Sequence, residues 1–232
     1  RFLTYQWSND YRMSVVQAIN NPGSIRANYW AGQVLKLYAL VAESEYESNT
    51  YKSMGIDYFN KIHVLSDSEI IGEMAILDML LRLQESPPHE LINYISKKLT
   101  TANVDIGVIN ILKSYKKCVL KKDCLLQIND FHKIMAASLN NNRMTNVAKR
   151  EILVMYADYF EKEGDYKNAI FLLKNAIHVY STLDDIALLA NYFEKSKRYD
   201  EMRKALELLK NVDKFGQYRK FIKTKIEKYG VL

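Results

Sequence analysis

Tyr159-Phe160-Glu161-Lys162 recurs as Tyr192-Phe193-Glu194-Lys195, 33 residues further along the chain. In the same register Ala157 matches Ala190, Tyr166 matches Tyr199 and Leu173 matches Leu206. A period of about 33–34 residues holds two helices and their turns, and such units bury their apolar faces only by stacking on one another. The pattern predicts an all-α fold, a right-handed solenoid of helical hairpins. Composition agrees. Apolar residues make up 48% of the chain, enough for a core, while Gly and Pro number only 8 and 3, too few for the many turns of an all-β fold.

The residue types within the repeat resemble those of the tetratricopeptide (TPR) family. There, a small residue in the first helix lets the second approach closely, and Ala157 and Ala190 stand at that position. Gly164-Asp165-Tyr166 resembles the family's turn, and Ala169 and Ala176 its small residues in the second helix. The second copy departs from this, with Lys197, Met202 and Leu209 at the matching places. The resemblance runs over residues 145–211 and, through Ala31-Gly32, partly over 24–65. It implies that Val154, Asp158, Glu161 and Lys162 face a concave groove, followed in the next repeat by Ala187, Asn191, Glu194 and Lys195. The alternative is that these are ordinary solvated helix residues.

Apolar periodicity, caps and breakers place helices near 8–20, 25–43, 50–65, 67–84, 88–99, 104–117 and 127–139, then 145–163, 165–180, 183–197, 199–211 and 214–229. The expectation is about eleven helices and no strand. Ser8 or Asn9 is the expected cap of the first helix and Ser24 of the second. Ser66-Asp67-Ser68-Glu69 reads as a capping box, and Glu43 to Asn49 as a polar connection. Two regions follow: a degenerate helical-hairpin region over 1–144, and TPR-like repeats with a C-terminal capping helix over 145–232. The cap's apolar stripe is Phe215, Tyr218, Ile222, Ile226 and Tyr229. Arg219, Lys220, Lys223 and Lys228 form its basic face, suited either to anionic headgroups or a pyrophosphate-linked glycan donor, or simply to keeping the array's end solvated.

The formal charge of +6 is unevenly spread. Lys and Arg less Asp and Glu gives −2 over 1–100, +6 over 101–150, −3 over 151–200 and +5 over 201–232. No nucleic-acid motif accompanies the basic zones, so no nucleic-acid partner is expected. His63, His89, His132 and His178 follow no metal spacing, and no phosphate loop or nucleophile elbow is present. No catalytic residue, metal or cofactor is therefore expected. Cys118 and Cys124 are separated by five residues, VLKKD, a spacing that suits neither a zinc site nor a CxxC redox pair. They read either as two reduced thiols or as a disulfide closing a short basic loop, the latter requiring an oxidising compartment.

Trp7-Ser8-Asn9-Asp10 followed by Asn21-Pro22-Gly23-Ser24-Ile25-Arg26-Ala27 resembles the segment after the last membrane span in O-antigen ligase and polymerase-like proteins, including the oligosaccharyltransferases that glycosylate pilins. The paired cysteines ahead of a TPR-like C-terminus are similar too. In that family the domain faces the periplasm. The start at Arg1, with no signal segment and no long apolar run, then reads as a piece of a longer membrane protein. The resemblance implies a periplasmic, non-catalytic domain contacting its parent membrane domain and a protein or glycan acceptor. The alternative is a cytosolic TPR scaffold that binds a peptide or protein.

Overall fold

In a computed structural model, which describes residues 2–122 and 125–230, the chain is all-α. The described residues form twelve helices, one for each of the twelve segments placed from the sequence although the expected total was about eleven, and no strand. In order they are α1 (Phe2–Asn20), α2 (Ile25–Val41), α3 (Glu45–Leu65), α4 (Ile71–Arg82), α5 (His89–Leu99), α6 (Ile106–Lys121), α7 (Ile128–Leu139), α8 (Asn146–Lys162), α9 (Tyr166–Val179), α10 (Leu183–Lys195), α11 (Tyr199–Val212) and α12 (Arg219–Tyr229). The chain divides into two compact units, Arg1–Arg143 and Met144–Leu232.

In the first unit α2 packs on α1, α3 and α4, while α6 packs on α4 and α7. Ser24 caps α2, its hydroxyl accepting from the Ala27 amide at 3.2 Å. Three sequence expectations need correction. α1 begins at Phe2, so Ser8 and Asn9 lie inside the helix rather than capping it. The polar run after Glu43 is largely helical. Ser44 caps α3, and Glu45 and Glu47 sit in its first turn, where acids complement the helix dipole. The capping box at 66–69 does not form. Ser66 ends α3, its backbone N–H donating to the Ile62 carbonyl. The Ser68 carbonyl and the Glu69 carboxylate accept from Asn103, at 2.9 and 3.1 Å, so a distant loop holds this segment out of α4. The buried pair Ile70-Ile71 begins the core-facing run instead.

The second unit is built from consecutive helices packed pairwise, α8 on α9, α9 on α10 and α10 on α11. Thr145, Asp165 and Thr182 cap α8, α9 and α10 by accepting backbone amides three residues on. Ala157 and Ala190 are both 0% exposed, as close helix crossings require. Ala169 and Ala176 are likewise fully buried, and Met202 and Leu209 fill the corresponding places in α11.

The turns repeat as faithfully as the sequence. The Asp165 amide donates to the Phe160 carbonyl and the Arg198 amide to that of Phe193, each at 2.8 Å. Gly164, Lys197 and Gly230 have positive φ values of 79, 59 and 60°. These three positions are spaced by 33 residues, so α12 falls in the register of a third first helix, although Gly230 is its C-cap whereas Gly164 and Lys197 lie one residue beyond theirs. In it Lys223, exposed, replaces the small residue found at 157 and 190. That substitution denies a further helix its close approach, consistent with a capping role for α12. The helix starts at Arg219 rather than 214, because the Asp213 carboxylate captures the amides of Gln217 and Tyr218 at 2.9 and 2.7 Å. Phe215, expected in its apolar stripe, lies outside the helix and is 88% exposed.

Lys197 holds the left-handed conformation against its own Cβ, at a cost of roughly 1–2 kcal/mol that glycine avoids. Lys197→Gly should therefore stabilise the second unit by about 1 kcal/mol, read as a higher midpoint in urea unfolding. An unchanged or lower midpoint would contradict the assigned turn.

Candidate functional site

The first helices α8 and α10 carry the proposed groove positions, and ion pairs and hydrogen bonds tie α8, α10 and α12 together. At the leading end, Arg150 of α8 forms a fork with Asp185 of α10. Its Nη2 lies 2.6 Å from Oδ1 and its Nε 2.7 Å from Oδ2. Two parallel charge-assisted bonds to a carboxylate that is itself buried fix both distance and angle. The Tyr218 hydroxyl donates to Asp184, carrying the connection to the start of α12.

At the trailing end, Lys195 of α10 donates to Glu161 of α8. One repeat later Glu194 of α10 accepts from Lys225, from Lys228 at 3.2 Å and from the Tyr229 hydroxyl at 2.5 Å, all on α12. Glu161–Lys195 and Glu194–Lys228 are both separated by 34 residues. The sequence repeat thus reappears as a repeated ion pair. Burial alone opposes the charged form of Glu194. Hydrogen bonds from Lys225, Tyr229 and Lys228 outweigh it and bring the carboxyl down to about 2.

The expected groove residues therefore divide. Glu161, Glu194 and Lys195 serve the joints between first helices. Asp158 and Lys162 pair within α8 at 3.1 Å. Asn191 and Val154 are half-buried, whereas Ala187, expected to face the groove, is buried in the core because α10 turns that side inward. The Tyr192 phenol beneath them is pushed well up by burial, with Asp158 and Glu161 adding to the effect, so it stays neutral.

The expected basic face divides as well. Arg219, Lys220 and Lys223 are exposed and share one side of α12, with Lys223 lying 3.7 Å from Glu227. Lys228 is turned toward Glu194 on another side. Cys118 lies in the penultimate turn of α6 and is half-buried, and no described cysteine is free. Its expected partner, Cys124, lies outside the described residues. Among the described residues no cluster of His, Cys, Asp or Glu could hold a metal ion, and no helix is long and apolar enough to cross a membrane.

Sequence reasoning missed Arg150–Asp185 and the role of Lys225 and Tyr229. The 35-residue spacing of the first, close to the repeat period, was the available signal.

The Glu194 joint carries a testable pH dependence. A carboxyl whose folded value lies below its unfolded value stabilises the fold fully above the unfolded value of 4.5. That contribution disappears as pH falls from about 4.5 toward about 2. Glu194→Gln should flatten this acid limb. At neutral pH it should speed amide exchange in α12 about five- to tenfold, the consequence of losing roughly 1 kcal/mol of partly screened pairing. Unchanged exchange in α12 would show that the joint does not hold the helix.

No family model matches the chain, and no curated protein matches it.

Proposed function

We propose that this chain is a non-catalytic, TPR-like interaction domain that binds a protein or glycan partner along its first helices. We further propose that it forms the periplasmic C-terminal part of an O-antigen ligase- or oligosaccharyltransferase-like membrane protein. The observation that carries the first statement is the double tie between successive first helices, Arg150–Asp185 at one end and Glu161–Lys195 at the other. Charges committed to fixing a frame preorganise the strip between them, Val154, Asp158 and Asn191, and preorganisation lowers the entropic cost of binding. The second statement rests on the resemblance of the segments at 7–10 and 21–27, and on the cysteine pair.

The binding surface is tested with a photo-crosslinking side chain placed at 158 or 191 of the full-length protein in its own cell. Adducts with an acceptor protein or glycan should form there and not from position 207, which is exposed on α11. Equal labelling from 207 would remove the groove as the binding surface. The compartment is tested by non-reducing mass spectrometry of protein taken from its native location. A Cys118–Cys124 bridge is expected. Free thiols would remove the periplasmic assignment and favour a cytosolic scaffold.

A further inference from the structure

A cleft of about 280 Å³ opens in the first unit between the C-terminal halves of α4 and α6. Its floor is a buried charge network. Lys36 Nζ of α2 donates to Asp78 Oδ2 at 2.9 Å, Arg82 Nε donates to the same oxygen at 2.9 Å, and Ser114 Oγ donates to Oδ1 at 2.9 Å. Arg82 Nη2 reaches Ser114 Oγ at 3.2 Å. Lys36 compensates the charge of Asp78, so the Arg82 charge is left over. Arg82 is half in solvent, and Nη1 of its guanidinium enters none of these bonds.

The wall adds further positive charge. Ser114, Lys117, Cys118 and Lys121 follow one another at i, i+3, i+4 and i+7, so one stripe of α6 lines the cleft. Lys117 and Lys121 are exposed, and no carboxylate among the described residues pairs with either. An oriented guanidinium beside two ammonium groups is the donor set that recognises a dense, multiply charged oxyanion. The size limits the ligand further. The volume lies just below the roughly 300–1,000 Å³ of pockets for drug-sized molecules.

We propose that this cleft binds a phosphoryl group, as a phosphate or diphosphate monoester, with Arg82, Lys117 and Lys121 as its cationic ligands and the Lys36–Asp78 pair as the support that orients Arg82. Lys36 and Asp78 are buried, hold Arg82 by the Asp78 carboxylate, and do not touch the ligand. The site is independent of the groove on the second unit.

The test is calorimetric titration of the whole chain with pyrophosphate at low ionic strength. Saturable binding with Kd below roughly 1 mM is expected, weakening with added salt. Lys117→Gln combined with Lys121→Gln removes two exposed charges without disturbing the buried network and should weaken binding by about tenfold or more. Lys220→Gln combined with Lys223→Gln, on α12, should leave it unchanged. A circular dichroism melt of each variant confirms that it is folded. Vesicles of phosphatidylcholine with phosphatidic acid separate the two sources of ligand. Binding to them that is lost with Lys117 and Lys121 assigns a lipid phosphomonoester, and pyrophosphate binding without vesicle binding assigns a soluble one. No saturable pyrophosphate binding overturns the proposal. So does an unchanged affinity in the Lys117/Lys121 variant, or citrate binding as tightly as pyrophosphate.

Discussion

Lys36→Met should lower the unfolding free energy of the first unit by about 3 kcal/mol, at the lower edge of the range for breaking a buried ion pair. The side chains of Lys36 and Asp78 are each only 8% exposed, and they meet at 2.9 Å. Removing the ammonium leaves a carboxylate with Arg82 and Ser114 for partners but without its fully desolvated counter-charge. Arg82 is half in water, so it compensates only in part. Urea unfolding, with amide exchange in α2 and α4 to localise the loss, measures the effect. Lys36→Met combined with Asp78→Leu should recover most of it, since an apolar pair of similar volume avoids the desolvation of both charges. A single variant as stable as the parent would show that the pair is not the buried joint described.

The same pair sets an acid limb. Burial by itself would raise the Asp78 carboxyl, but the charges and hydrogen bonds of Lys36, together with Arg82 and Ser114, bring it below its ordinary 3.8. The folded state therefore gains stability from Asp78 above that value and loses it as pH falls below 3.8 toward the depressed folded value. Without Lys36 the depression shrinks, and the acid limb attributable to this residue should become shallower.

Gly72→Leu should cost about 3 kcal/mol or more, because the overlap falls on backbone. A Cβ at Gly72 would stand 2.5 Å from the Phe59 carbonyl oxygen and 3.2 Å from Ile62 Cβ, where α4 crosses α3. Neither neighbour can move without shifting α3, and Phe59 and Ile62 are both fully buried. Gly55 is the control. Its Cβ would meet the terminal methyl of Met79 at 2.7 Å, the free end of a flexible side chain. Gly55→Ala also gains up to about 1 kcal/mol of helix propensity, so it should lie within about 1 kcal/mol of the parent. Thermal and urea unfolding of the two variants side by side decide the matter. Equal stabilities would remove the close crossing of α3 and α4.

Much of the second unit was legible before any coordinates. The 33-residue register located Ala157 and Ala190, and both are buried; it paired the turns at 164 and 197, and both have positive φ. These features are local. Cap, turn and small-residue signals act within one or two helical turns, and repetition states them twice. The candidate groove was less legible, because a charge in a helix looks the same whether it meets solvent or a neighbouring helix. Glu161, Glu194 and Lys195 looked like solvated or ligand-facing residues and are joints between first helices.

In the first unit the sequence determined the helices and their apolar faces, through period, caps and breakers. Tertiary structure decided where those helices begin and what their polar residues do. Ser66 and Glu69 satisfy the capping-box pattern, yet Asn103, 34 residues beyond Glu69, offers hydrogen bonds to the same segment and the buried Ile70-Ile71 pair sets the start of α4. Asp78 stands in an apolar helix with only the half-solvated Arg82 as a local partner; Lys36 lies 42 residues earlier and Ser114 36 later. A helical period reports which side of a helix is apolar. It carries no information about which other helix will be there, and the energy of a buried charge depends strongly on what that helix offers it.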